Sequence, residues 1–321
     1  MLKFCIKFSI FVHYQNFMKL HIKNETATLR SVVLGQPNSM GADPTLEDSY
    51  DAKSYHTIEN NIYPLERNII DEMTAFEKVL LKYNVEVLRP EILANYNQVF
   101  ARDVAFVIED KLIISNLISE RDAEQKAYQK IFEKINFRNV INLPDTAHIE
   151  GGDVLVWNDF IFIGTCYSED YRNFKTARTN EKAIDILKEF FPKKRILDFE
   201  LKKNDTDPYK GILHLDCTFN PIGKDKCLIY KDGFVNEDDY RLILDIFGEE
   251  NCFHVNDEEM FKMFPNIFSI SPEVVVSDSA FSRMNRHLED QWNIKVEEIP
   301  YREISKMGGL LRCSTLPLVR E

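Results

Sequence analysis

Apolar residues along this chain alternate in short runs, pair up across turn residues, and give way to stretches at helical spacing. Three apolar pairs stand out: DVAFVIEDKLIIS from Asp103, GDVLVWNDFIFIG from Gly152 and CTFNPIGKDKCLIY from Cys217. Each has the period of a strand on both sides of a turn and predicts a β-hairpin. Two more are expected: NIFSISPEVVVS from Asn266, and a split one in which the terminal STLPLVR pairs with the early RSVVLGQP near Arg30. Between hairpins, apolar residues at i, i+3 and i+4 predict helices over Leu65 to Lys82, Glu120 to Lys134, Thr179 to Phe190, Glu237 to Phe247 and Asp278 to Trp292. A short strand follows every helix, starting near Val85, Asn139, Arg195, Asn251 and Lys295.

Hairpin, helix and strand therefore recur five times, at an irregular spacing of roughly forty to sixty residues, as in radial or stacked architectures. The expected fold class is α/β: a five-bladed, pseudo-symmetric αβ propeller, a single closed ring whose last strand completes the first blade. A doubly wound sheet needs a glycine-rich phosphate loop after the first strand. The stretch GQPNSMGADP from Gly35 has neither that spacing nor a helix directly after it. Residues 36 to 63, rich in Asn, Asp, Ser and Tyr, are expected to be a long loop, either a lid or plain surface.

Composition narrows the function. Lys and Arg total 40 against 52 Asp and Glu, a formal net charge of -12. Such a surface repels a phosphate backbone, so nucleic acid is not an expected partner. The six cysteines are widely separated, with no Cys-x-x-Cys pair and no histidine cluster at zinc-ligand spacing. Reduced thiols, a cytoplasmic location and no metal or organic cofactor are the expectation. The opening MLKFCIKFSIFVHYQNF is interrupted by Lys7 and lacks a small-residue cleavage site. Residues 1 to 17 read as an extension or arm, 18 to 321 as one catalytic domain, and no segment has membrane-spanning length.

The residues able to do chemistry share a phase. Arg102 and Asp103 stand where the second blade's hairpin starts, Glu150 and Asp153 where the third starts, His214 and Asp216 where the fourth starts, and Cys313 where the chain closes the first. In a ring, matching positions of successive blades meet at the axis. Singly, Asp103 beside Arg102 also reads as a surface ion pair, His214 as a core histidine and Cys313 as a small buried hydrophobe. Together they would bury several carboxylates, an imidazole and a thiol, and that cluster calls for a cation to balance it. A guanidinium fits, because two carboxylates can grip its planar fork and its charge helps a neighbouring thiol ionise.

At these residues the sequence resembles the guanidino-modifying (pentein) superfamily of arginine deiminases, dimethylarginine dimethylaminohydrolases and amidinotransferases. The resemblance rests on Asn97-x-x-Phe100-x-Arg102-Asp103, Glu150-Gly151-Gly152-Asp153, His214-Leu215-Asp216 and Gly308-Gly309-x-x-Arg312-Cys313-x-Thr315-x-Pro317-Leu318. It covers the chain from about Leu29 onward and implies a five-bladed αβ propeller. It also implies Cys313 as nucleophile, His214 as acid and base, Glu150 as the carboxylate orienting the imidazole, and Asp103 and Asp216 as guanidinium clamps. Asn97 and Phe100 are implied to line the substrate site, and Asp153 to support its turn. Arg178, in Arg178-Thr179-Asn180, matches an arginine that binds a substrate α-carboxylate, while its ordinary reading is an exposed cation at a helix start capped by Thr179.

The implied activity is hydrolysis of arginine or a related guanidine to a ureido product through an amidino-cysteine intermediate. Asp216, in place of the lysine of some dimethylarginine hydrolases, favours an unmethylated guanidine. An amidinotransferase passing the group to an amine is the alternative, and a non-catalytic guanidine or amino-acid binding protein is the alternative from another class. A homo-oligomer is compatible with the sequence.

Overall fold

In the computed structural model, which describes residues 17–167 and 173–321, strands gather into five separate three-stranded sheets. Strand β1 (Leu29–Leu34) lies between β2 (Glu86–Leu88) and the terminal β15 (Thr315–Arg320). The next three sheets are built from β3 (Ala105–Ile108), β4 (Lys111–Ile114) and β5 (Val140–Asn142); β6 (Val154–Trp157), β7 (Phe160–Thr165) and β8 (Arg195–Glu200); and β9 (Phe219–Ile222), β10 (Lys226–Ile229) and β11 (Cys252–His254). The fifth contains β12 (Phe268–Ser271), β13 (Val274–Asp278) and β14 (Lys295–Ile299). Every sheet combines one antiparallel pair with one parallel strand supplied after a helix. The chain is the α/β five-bladed propeller expected from its periodicity.

The first sheet closes the ring, with Ser31 opposite Val319, Val32 opposite Pro317 and Leu34 opposite Thr315. A proline is tolerated in β15 because this is an edge strand. The helices turn one apolar stripe toward the sheets. In helix Glu66–Lys82 the stripe is Ile69, Met73, Phe76 and Leu80, and the helix begins directly after Pro64-Leu65, where proline blocks an earlier start.

Three expected helices are shorter than their patterns. The first is Gln125–Phe132, behind a 3-10 turn at Asp122–Glu124. The second is Glu181–Phe190, because the Asn180 side chain accepts the Ala183 N–H and caps it there. The third is Ser282–Asp290, because Asp278 is still in β13. The expected loop over 36 to 63 contains a 3-10 turn at Leu46–Asp48 and a helix at Ala52–Glu59 whose N-cap is Asp51. The low apolar content of AKSYHTIE hid that helix, although Asp51 and Ser54 make an ordinary cap at 2.8 Å. The expected arm lies, up to residue 16, outside the described residues. From Leu20 onward the chain is packed: Leu20 and Ile22 are buried, and Ile22 bridges Glu109.

A single tight turn precedes the first strand of four sheets, and these turns position the site. They are Ala101–Val104 before β3, Gly151–Asp153 before β6, Leu215–Cys217 before β9 and Phe264–Asn266 before β12. Cys313 lies in the turn preceding β15. Neighbouring turns touch one another, so the shared phase seen in the sequence is realised as convergence at the axis.

Candidate functional site

Glu150 and His214 sit at the N-caps of their 3-10 turns, in extended backbone conformation. His214 Nε2 lies 2.9 Å from Glu150 Oε2. Its Nδ1 lies 3.7 Å from Asp103 Oδ1, and neither of those two atoms has a hydrogen-bond partner although both are buried. Glycine is required beside this ring. A Cβ on Gly152 would stand 2.6 Å from His214 Nδ1 and 2.7 Å from Cγ. The imidazole is 0% exposed.

Cys313 Sγ is 3.8 and 3.7 Å from the two carboxylate oxygens of Asp216. Asn266 braces both residues. Its Nδ2 donates to Cys313 Sγ (3.2 Å) and to the Asp216 carbonyl (3.3 Å), while its Oδ1 accepts the Cys313 and Leu310 N–H groups at 3.1 Å each. The sequence reading missed Asn266 as a site residue, although it occupies in the fifth blade the position that Asp103 and Asp216 occupy in theirs.

Buried guanidinium groups brace the carboxylates from behind. Arg121 donates to Asp103 Oδ2 at 2.6 Å, to both oxygens of Glu124 and to the Phe100 carbonyl. Arg312 donates to Asp216 Oδ2 at 2.7 Å and to the Val154 carbonyl, and pairs with Glu25 at 3.1 Å. Asp103 is thus not a surface partner of Arg102. Arg102 is buried and directed at the Arg312 carbonyl and Thr315 Oγ1. Asp153 accepts the Leu215 N–H and the Thr179 hydroxyl, tying two turns together.

The exposed-cation reading of Arg178 is wrong. Arg178 is 1% exposed, donates from Nη1 to both Glu150 oxygens at 3.0 Å, and donates to the carbonyls of Tyr50 (2.7 Å) and Lys175 (2.5 Å). The residue that caps the following helix is Asn180, and Thr179 points to Asp153 instead. Tyr50 lies with its ring over both Arg121 and Arg178, at 5.8 and 5.7 Å. A cavity of 360 Å³ opens beside it, lined among others by Tyr63, Asn97 and Glu124. Asn97 also accepts the Val99 N–H at 3.1 Å. Phe100 packs its ring on Gly309, where a Cβ would collide with it, and Gly308 adopts φ +85° with Asp51 where its Cβ would be.

The electrostatics follow from this arrangement. Burial alone would raise the Glu150 pKa, but Arg178 and the hydrogen-bonded His214 pull it down to about 2. Burial alone would depress the His214 pKa, yet the charges of Asp103 and Asp153, the neighbouring Cys313 thiol and the hydrogen bond to Glu150 hold it well above the ordinary imidazole value. Burial raises the Cys313 pKa well above the ordinary thiol value, and the neighbouring Cys217 and the Asp216 charge add to it, against the opposing influence of His214. The resting cluster therefore holds a charged imidazole and a neutral thiol.

Among the described residues, Asp103, Glu150 and His214 form one group whose ligand atoms lie within 4.8 Å of one another. A divalent cation there would meet the guanidinium of Arg178 on Glu150 and that of Arg121 on Asp103. That charge arrangement opposes a metal.

A family model for eukaryotic N,N dimethylarginine dimethylhydrolase matches residues 36–320. The chain is 30% identical over 303 residues to the uncharacterized protein YkgA of Bacillus subtilis, covering 93% of this chain and 94% of that one. It is 26% identical over 266 residues to an arginine deiminase of Borrelia garinii, covering 70% of this chain and only 61% of the deiminase. Two solved structures share the fold: an N-terminal domain of ArgZ covalently bound to a reaction intermediate (TM-score 0.74, 17% identity, 90% of this chain and 98% of that), and SxtG, an amidinotransferase from Microseira wollei (TM-score 0.73, 18% identity, 94% and 97%). With this fold and a model match over most of its length, the chain belongs to the N,N dimethylarginine dimethylhydrolase family within the guanidino-modifying pentein superfamily.

Proposed function

We propose that the protein hydrolyses an unmethylated guanidine, arginine or a close relative, to a ureido product and ammonia. The observation that carries this reading is the pair of carboxylates around the thiol. Asp103 keeps one buried oxygen without a partner beside the imidazole, and Asp216 has both oxygens near the thiol, one of them also held by Arg312. A planar cation with N–H groups on both sides satisfies both carboxylates at once. Its charge also removes the obstacle to ionising Cys313, since the neighbouring Asp216 anion becomes neutralised.

The mechanism then follows from the residues. As the guanidinium binds, Cys313 gives up its proton to solvent water, and the thiolate attacks the central carbon. His214, kept charged by its flanking carboxylates, donates a proton to the departing nitrogen, and ammonia leaves. An amidino-thioether remains on Cys313. The imidazole, now neutral, takes a proton from water, which attacks the same carbon, and the thiolate departs as the ureido product forms. Glu150 holds the imidazole in register throughout, and Arg178 holds Glu150. A substrate carboxylate can reach Arg178 by exchanging with the Tyr50 carbonyl.

A second reading, hydrolysis of dimethylarginine, is favoured by the family match. Asp216 weighs against it, because methyl groups on one nitrogen remove the donors that a second carboxylate would accept. An amine acceptor in place of water would make the protein an amidinotransferase. Incubation with arginine, dimethylarginine and arginine plus amine acceptors separates these outcomes. The reading requires ammonia and a ureido compound from arginine, at a higher kcat/KM than from dimethylarginine. Dimethylamine release as the faster reaction, or a new guanidine, would replace it.

A further inference from the structure

Cys217 has no part in the mechanism above, yet it shares a carboxylate oxygen with the proposed nucleophile. Its Sγ is 3.6 Å from Asp216 Oδ1, the same oxygen that lies 3.8 Å from Cys313 Sγ. Each thiol is close enough to perturb the ionisation of the other. The backbones that carry them are tied by one side chain, since Asn266 grips the Asp216 carbonyl on one side and the Cys313 amide on the other. Both residues occupy tight turns that precede strands, so the two sulfurs are held beside the same carboxylate oxygen from fixed supports. Cys217 also lines a small cavity with Asp51 and Gly308.

We infer that Cys217 and Cys313 form a reversible disulfide when the protein meets a peroxide, so that Cys217 shields the active-site sulfur from irreversible oxidation. The balance is simple. Cys313 sulfur attacks the peroxide oxygen; the O–O bond breaks, water leaves, and Cys313 becomes a sulfenic acid. Cys217 sulfur then attacks the Cys313 sulfur, an S–S bond forms, the S–O bond breaks, and a second water leaves. Sulfur has been oxidised by two electrons and the peroxide reduced by two. A thiol such as dithiothreitol returns both cysteines by exchange. Without a neighbouring thiol, the sulfenic acid is open to further oxidation to the sulfinic and sulfonic acids, which dithiothreitol does not reverse.

The disulfide is read from peptides, independently of turnover, so its failure is distinguishable from failure of the proposed activity. The full chain is treated with hydrogen peroxide, alkylated, digested without reductant and analysed by mass spectrometry. The expected product is a peptide pair joining Cys217 to Cys313, two hydrogens lighter than the free peptides and separated by dithiothreitol. In a Cys217→Ser variant, Cys313 should instead accumulate as sulfinic and sulfonic acid, and dithiothreitol should restore reactive thiol at Cys313 only in the wild type. If the variant fails to fold, Cys217→Ala and the wild-type peptide map still decide. The buried Cys227 and Cys252 pair, with sulfurs 3.3 Å apart on neighbouring strands, serves as an internal comparison. Oxidation of Cys313 with no link to Cys217, or equal recovery of Cys313 in wild type and variant, overturns the inference.

Discussion

Replacing Gly152 by alanine adds one methyl group at the tightest point of the site. The new Cβ would lie 2.6 Å from His214 Nδ1, 2.7 Å from Cγ and 3.0 Å from Cβ, where ordinary carbon contacts need about 3.5–4 Å. The ring must therefore retreat by about 1 Å. It has little freedom, because its Nε2 is held at 2.9 Å by Glu150, which Arg178 holds in turn. A misplacement of about 1 Å in a catalytic group costs on the order of 100-fold in rate, about 2.7 kcal/mol of transition-state stabilisation. The cost to folding is that of a modest overpacking, about 1–3 kcal/mol. For a chain of this size that is a fall in Tm of about 2–5 °C. The assay is ureido product formed per minute from saturating arginine, with a melting curve on the same sample. A loss of about 100-fold in kcat from a protein still folded at assay temperature is expected. Activity within about threefold of wild type would refute the claim that this imidazole must stay where the glycine lets it lie.

Other outcomes follow from the same geometry. Cys313→Ser should lose at least about 1,000-fold in kcat with little change in Tm, since the hydroxyl is the weaker nucleophile near neutral pH, measured by ammonia release. Asp216→Asn removes an anion beside the thiol and should move the pH midpoint for iodoacetamide alkylation of Cys313 down by about one unit or more. The same change leaves the buried Arg312 short of one partner and should cost about 3–5 kcal/mol of stability, read by denaturant unfolding. Glu150, with a folded pKa of about 2 against an ordinary 4.5, contributes stability that is fully present above about pH 4.5 and lost as the pH falls toward 2. Glu150→Gln should flatten that part of the acid unfolding curve. Tyr50→Ala removes a ring that faces two guanidinium groups, worth about 0.5–1 kcal/mol each. It should lower kcat/KM by about 5- to 30-fold in steady-state assays.

Much of the fold was legible because its repeat is written in two periods. Alternation marks the hairpin in DVAFVIEDKLIIS, and helical spacing marks Ile69, Met73, Phe76 and Leu80. Periodicity is a statement about which face is buried, so it survives where helix ends do not. Asn180 stops one helix through a side-chain cap that competes with no apolar signal. The helix at Ala52–Glu59 was hidden for the converse reason: it buries Ala52, Ser54 and Thr57 and has no apolar stripe to read.

The convergence of Asp103, Glu150, His214, Asp216 and Cys313 was also legible, from phase alone. What phase could not reveal was the partners. Arg121, Arg178 and Arg312 reach carboxylates 18, 28 and 96 positions away, pairings fixed by the ring and not by local spacing. Glu25 lies before the family match begins, yet burial and the charges of Arg312, Arg102 and Arg320 act on its carboxylate together, the arginines holding its pKa low. Asn266 could have been found by applying the phase rule to the fifth hairpin, since an amide satisfies two turns as well as a carboxylate without adding charge.

The proposed mechanism requires a covalent bond between the substrate and Cys313. Protein quenched in acid during turnover with arginine, digested and weighed, should carry on the Cys313 peptide the mass of arginine less ammonia, present while substrate lasts and gone when it is exhausted. Product accumulating with the Cys313 peptide unmodified at every time point, or with the added mass on another residue, would contradict it.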